Sequence, residues 1–195
     1  MSVVSSASLL ALTVLTGAVA LGDRPVAEMD CVIMNENVDS RLSPLDSVSF
    51  EVQGHAVKVC YGRPSAKGRT MIGGEAVPYG NIWRTGANEP TMIHTSTSLN
   101  VGGIEIEPGT YSFYTVPGED KWEVILNRSI TQWGRENRYT EEVRAQEVGR
   151  GTVESERMDS HVETFTMRAV SSGADVMLLL EWEHTRVMVP IKPAG

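Results

Sequence analysis

Within seven residues, Trp83-Arg84-Thr85-Gly86-Ala87-Asn88-Glu89, the chain places an aromatic ring, a guanidinium, an amide and a carboxylate. A ring that stacks on a sugar, flanked by a few convergent polar groups, is what a polar-ligand pocket needs. Upstream, Arg63, Lys67 and Arg69 bring positive charge against the single acid Glu75, in a stretch rich in glycine. Such a run can cradle an anion through guanidinium forks and backbone N–H groups. The ligand-binding candidates are therefore Tyr61, Arg63, Lys67, Arg69, Trp83, Arg84, Asn88 and Glu89. Each has a structural alternative. Arg63 and Arg84 would serve equally to hold a long loop together through its carbonyls and through carboxylates such as Glu89, and Trp83, beside Ile82, would serve as a core plug. The run is not a phosphate-binding P-loop, because Lys67-Gly68-Arg69-Thr70 reverses the required Gly-Lys-[Ser/Thr] order.

For catalysis the best acid–base pair on offer is Glu89 with His94. The other histidines, His55, His161 and His184, are scattered, and no His-x-x-x-His or Cys-x-x-Cys spacing occurs, so neither a metal nor a cofactor is expected. Ser65 lacks the Gly-x-Ser-x-Gly elbow of a serine hydrolase. Glu181 and Glu183 are the right residue type for glycoside hydrolysis, but a solvated strand accounts for them as well.

Strands must position these groups. In 46–52 the apolar set is Val48, Phe50, Val52; in 55–61 it is Val57, Val59, Tyr61. A tight Gln53-Gly54 turn sets Val52 opposite His55 and Phe50 opposite Val57, so the two apolar faces coincide. The stretch 61–90 follows as one long ordered loop, a length uncommon in a compact domain unless it does something. Next, 91–101 turns at Gly102-Gly103 into 104–107, pairing Val101 with Ile104 and Leu99 with Ile106. Further strands are read at 110–116 and at 121–127, the latter with Trp122, Val124 and Leu126 on one face. Thr140 is placed to cap a short helix, and the many charges of 143–153 suggest an edge strand. Strand character returns at 161–170 and 174–182, where Trp182 falls in phase with Val176, Leu178 and Leu180. The apolar parity then changes to Val187, Val189, Ile191, which demands a turn or bulge near His184. Turns every 8–12 residues or so are typical of an all-β fold. The reading is a single antiparallel β-sandwich or jelly-roll-like barrel of about 8–10 strands, with at most a short helix.

The 195 residues, 41% of them hydrophobic, suffice for one core. A formal charge of −8 argues against a nucleic-acid partner. Residues 1–22 carry no charge, are apolar from Leu9 to Leu21, and contain Ala18-Val19-Ala20 as a small-x-small cleavage signal; this is read as a cleaved secretory signal without membrane anchor. A polar leader, 23–44, then precedes a β domain over 45–193. Export makes Cys31 and Cys60 a candidate disulfide clipping the leader across the back of the first hairpin, the alternative being two unrelated thiols.

Several runs carry a resemblance: Ser43-Pro44 with Asp46-Ser47-Val48-Ser49, the 61–89 stretch, 108–127 (PGTYSFYTVPGEDKWEVILN), Gln132-Trp133-Gly134, and later 162–166 and 182–191. Over about 41–191 the chain resembles the bacterial exported family catalogued as domain of unknown function 2911. The resemblance implies export and a compact β-rich domain and brings no assigned activity. The preferred functional expectation is a secreted or periplasmic, non-catalytic module binding a glycan or small polar or anionic ligand at the 61–90 loop. The alternatives are a secreted hydrolase using Glu89 with His94 or Arg84, and a structural protein of the cell envelope.

Overall fold

The computed structural model describes residues 29–34 and 37–195; the expected signal segment lies outside the described residues. Among the described residues nine antiparallel strands are built from alternating apolar and polar residues. They are β1 (Leu45–Val52), β2 (His55–Gly62), β3 (Thr91–Thr95), β4 (Leu99–Val101), β5 (Ile104–Ile106), β6 (Gly109–Val116), β7 (Lys121–Asn127), β8 (Glu147–Ser172) and β9 (Asp175–Pro193). Their hydrogen-bonded order is β1-β2-β3-β6-β7-β8-β9-β4-β5.

The chain folds this continuous order into a sandwich-like pair of layers by bending β8. Its first part, Glu147 to Glu154, pairs with β7, whereas Ser155 onward pairs with β9. A bridge outside the strands closes the far side: Ala66 N donates to Glu163 O and Phe165 N to Pro64 O, each at 2.9 Å. The β1–β2 register is the one the apolar faces demand, with Val52 opposite His55 and Phe50 opposite Val57. Gln53 and Gly54 both take positive φ, 52° and 80°, as a two-residue hairpin turn of the primed type requires. Val101 opposite Ile104 and Leu99 opposite Ile106 follow the same logic.

Three expectations change. The run 91–101 is two strands, β3 and β4, which part at Ser96–Ser98 to join different layers. Of the stretches read separately at 143–153 and 161–170, residues 147–153 and all of the second belong to the single strand β8, while 143–144 end a short helix. And β8 is interior, flanked by β7 and β9, rather than an edge: its charges lie on solvated positions of a sheet buried on one face only, which carry polar residues wherever a strand sits. The required bulge near His184 is present. Between Arg157 and Val162 the pairing with β9 slips, opposite Thr185 and Glu183, and Glu183 takes φ 52°. That left-handed conformation costs roughly 1–2 kcal/mol; it aims the Glu183 carboxylate at Met71 N (3.1 Å) and Ile72 N (2.8 Å), satisfying two loop amides.

The core joins the inner faces of both layers to the loop at 61–90. Trp83 is its hub: it stacks on Trp182 (5.9 Å, 18°) and meets Trp122 and Phe165 edge-on at 6.1 and 5.2 Å. Ala66, Met71, Ile72 and Val77 of the same loop are buried around it.

Candidate functional site

The candidates of the 61–90 loop turn mostly inward. Tyr61 is 2% exposed and its hydroxyl accepts from Met167 N at 2.9 Å. Arg63 pairs with Asp46 at 3.2 Å and donates to Phe165 O and Thr166 Oγ1. Arg69 donates to the carbonyls of Ala66 and Ser65. Asn88 donates to Ser43 O at 2.9 Å. Lys67 is exposed. Trp83 is 4% exposed, a core side chain on which nothing can stack from solvent without unpacking three other rings. The loop's polar groups thus tie it to itself and to the leader and strands it packs on, the job a long irregular connection must do when its apolar side chains go inside.

Glu89 and His94 do not form an acid–base pair. Both Glu89 oxygens are taken: Arg41 donates to Oε1 and Oε2 at 2.7 and 2.8 Å, and Met34 N donates to Oε1 at 2.8 Å. Both side chains of this ion pair are buried, so its loss leaves a charge without water. His94 shares a hydrogen bond between Nδ1 and Thr110 Oγ1 (2.9 Å), and its Nε2 is buried without a partner. Burial, and then the Lys58 ammonium, hold the imidazole below its ordinary pKa. Glu181 is likewise occupied, by Arg168 and Arg186, and among the described residues no three His, Cys, Asp or Glu side chains gather as a metal site would need. The Cys31–Cys60 disulfide is formed and, with Lys58 Nζ donating to Met29 O and Arg41 on Glu89, straps the leader over the outer face of β2 and β3.

A cleft lies on another connection, 128–146, which crosses the outer face of β6 and β7. Its sequence has no strand period; polar anchors hold it instead. Asn127, fully buried, donates to Val143 O (2.7 Å) and accepts from Ser129 N (2.7 Å). Ser129 Oγ donates to Gln132 Oε1 (2.7 Å), and Gln132 Nε2 donates to Tyr114 Oη and Ser129 O, both at 3.0 Å. Below them Tyr114 packs edge-on against Tyr139 at 4.7 Å, with Ile125 and Val143 completing a small apolar cluster. The short helix α1 (Glu141–Arg144) ends the crossing, with Thr140 Oγ1 accepting from Val143 N as its cap.

Gly134 fixes the other side. A Cβ there would sit 2.6 Å from Asn88 O and 2.7 Å from Arg84 Cδ, so only glycine lets the crossing lie flush on the end of the 61–90 loop. Trp133 stands between a glutamine hydrogen-bonded inward and a glycine pressed onto backbone. It lines a cavity of about 570 Å³ with Thr131, Gln132, Arg135, Asn137, Arg138, Thr140 and Val143. Trp133 is half-buried there, whereas Trp83, Trp122 and Trp182 are at most 4% exposed. A second cavity of about 340 Å³ lies across the same turn, lined by Glu75, Asn81, Ile82, Trp83 and Glu136 among others.

Burial and the apolar surroundings push the Tyr114 hydroxyl up to about 12, and Tyr139 is raised too, so both stay protonated at neutral pH and neither is a base. Burial lowers Arg84 from its ordinary value, opposed by Glu136 and reinforced by Arg135. The arrangement offers an aromatic face and cationic donors, which suits binding; no nucleophile–base pair lines either cavity.

Of the cleft's groups, the sequence singled out Gln132 and Trp133 only within the run Gln132-Trp133-Gly134 that carries the family resemblance, and Thr140 only as a helix cap; Arg135, Asn137 and Arg138 were not named as candidates. The one available signal was the run Gln132-Trp133-Gly134.

Fold and cleft define an all-β, disulfide-linked protein of two antiparallel layers with a polar crossing on its outer face. The chain belongs to the family described as protein of unknown function (DUF2911), whose sequence model matches residues 43–191. No curated relative and no solved structure matches it.

Proposed function

We propose that the protein is an exported, non-catalytic binding module that takes a glycan or similar small polar ligand in the cleft at Trp133. The observation that carries this is the display of Trp133: three tryptophans are core, and the fourth is half-buried and lines a cavity, between Gln132, which is bonded inward, and Gly134, which is pressed onto the 61–90 loop. A tryptophan ring has two side-chain torsions to order on binding, and the cavity is within the size range of small-molecule sites. The disulfide suits an oxidising compartment, and among the described residues no helix is long and apolar enough to cross a membrane.

The test is a thermal-shift screen of the chain with oligosaccharides, without reductant. A ligand at a hundredfold excess over its dissociation constant stabilises the fold by about 2.7 kcal/mol, a shift of several degrees. The reading requires a hit that Trp133→Ala abolishes and Trp83→Phe keeps. A panel without hits, or a hit indifferent to Trp133→Ala, overturns it.

A further inference from the structure

We infer that the ligand of the Trp133 cleft carries a fixed negative charge, a carboxylate or phosphate borne on a sugar, and that Arg135 and Arg138 receive it. The inference rests on the reading of the cleft as a binding site and names the class of ligand.

In a chain of net charge −8, arginines have acids to spare. Arg41, Arg63, Arg150, Arg168 and Arg186 each meet a carboxylate within 3.2 Å. Arg69 and Arg84 donate to carbonyls, and Arg144 lies over the Tyr139 ring. Among the described residues Arg128, Arg135, Arg138 and Arg157 make no such side-chain contact, and of these Arg135 and Arg138 line the same cavity, three positions apart at the 3₁₀ turn Glu136–Arg138. No carboxylate lines that cavity: Glu136, between them in sequence, lines the neighbouring one, and Glu141 and Glu142 follow on α1 outside it. Behind them Arg84 adds a third guanidinium, near enough to Arg135 to feel its charge and with Nε buried and unpartnered. Glu136 is the carboxylate that acts on Arg84, one acid against three guanidiniums, so like charges still gather there, and an anion relieves their repulsion on binding. The guanidinium fork matches carboxylate and phosphate oxygens in pairs, while the Trp133 face takes the apolar side of a sugar ring.

The experiment uses matched probes on the full chain by calorimetry: galacturonate trimer against its methyl ester, and glucose 6-phosphate against glucose. The charged member of at least one pair should bind about tenfold tighter or more than its neutral partner, as charge-assisted hydrogen bonds warrant. The preference should weaken as salt rises and vanish in Arg135→Gln/Arg138→Gln; both side chains are exposed, and the thermal midpoint reports whether the variant folds. Which pair responds distinguishes carboxylate from phosphate. Neutral probes binding as tightly as charged ones, or a preference that is indifferent to salt or survives the double variant, overturn the charge inference and leave the cleft reading standing. No binding of any probe, together with a blank oligosaccharide screen, removes both.

Discussion

Two long connections, 63–90 and 128–146, contain no strand of the sheet, and the chain uses them in opposite ways. The first lies between β2 and β3 and turns its apolar side chains into the space between the layers; Trp83 closes that space against Trp122, Phe165 and Trp182. The second lies on the outer face of β6 and β7, where Ser112, Asn127 and the Tyr114 hydroxyl offer hydrogen bonds. A segment held from below by a few directed bonds need not bury all its side chains, so Trp133, Arg135 and Arg138 are left for other use. The face a connection covers decides its role more than its composition does. The stretch richer in glycine became core scaffold; the shorter one, which matches it in aromatics and in cations, carries the cleft.

The sharpest way to break this comparison is to remove one ring from each side. Trp83→Ala should cost about 3–5 kcal/mol, the range for a buried aromatic leaving a cavity, read as a fall in the denaturation midpoint. Trp133→Ala should change stability by less than about 1 kcal/mol, as a partly exposed side chain does, while abolishing ligand binding. Equal losses at the two positions would place Trp133 in the core as well and end the distinction.

The strap links the regions, since Asn88 and Glu89 anchor the leader and also meet Gly134. Cys31→Ser/Cys60→Ser should cost about 3–4 kcal/mol by freeing the loop the bridge closes. Hydrogen exchange should quicken at 29–41 and 88–94 more than at 147–160. Uniform quickening would mean that the strap supports the whole fold rather than this side of it.

The smallest effect concerns His94. Its folded pKa is lowered, so near and below the ordinary value of 6.5 the unfolded chain binds the proton more readily than the native one. Its contribution to stability is therefore full above pH 6.5 or so and is lost as pH falls through the folded pKa. Denaturant midpoints measured from pH 7.5 to 5 should decline, and His94→Gln should flatten the decline. An unchanged slope in the variant would show that His94 is not the group responsible. Carboxylates held low by arginines, such as Glu181 beside Arg168, titrate further toward acid and do not confuse this window.

Much of the fold was legible because local rules settle it. Alternation and two-residue turns fixed the hairpins Val52–His55 and Val101–Ile104; the parity change after Trp182 demanded the bulge that Glu183 and the 158–161 stretch supply; Thr140 read as a cap and is one. These are properties of neighbouring residues, and side-chain parity along a strand survives any tertiary arrangement. The pairing of Cys31 with Cys60 stood as one of two alternatives, and spatial proximity chose between them. The site was not legible. Whether Trp83 faces solvent or core, whether Glu89 meets His94 or Arg41, and which arginines lack a partner depend on residues far away in the chain. Arg41 finds Glu89 across 48 positions and Arg63 finds Thr166 across 103. Composition and period determine which surfaces are apolar and where the chain turns; only the packing of the two layers decides which irregular segment fills the core and which lies outside it with its charges free, because burial is a property of the closed structure and not of any stretch within it.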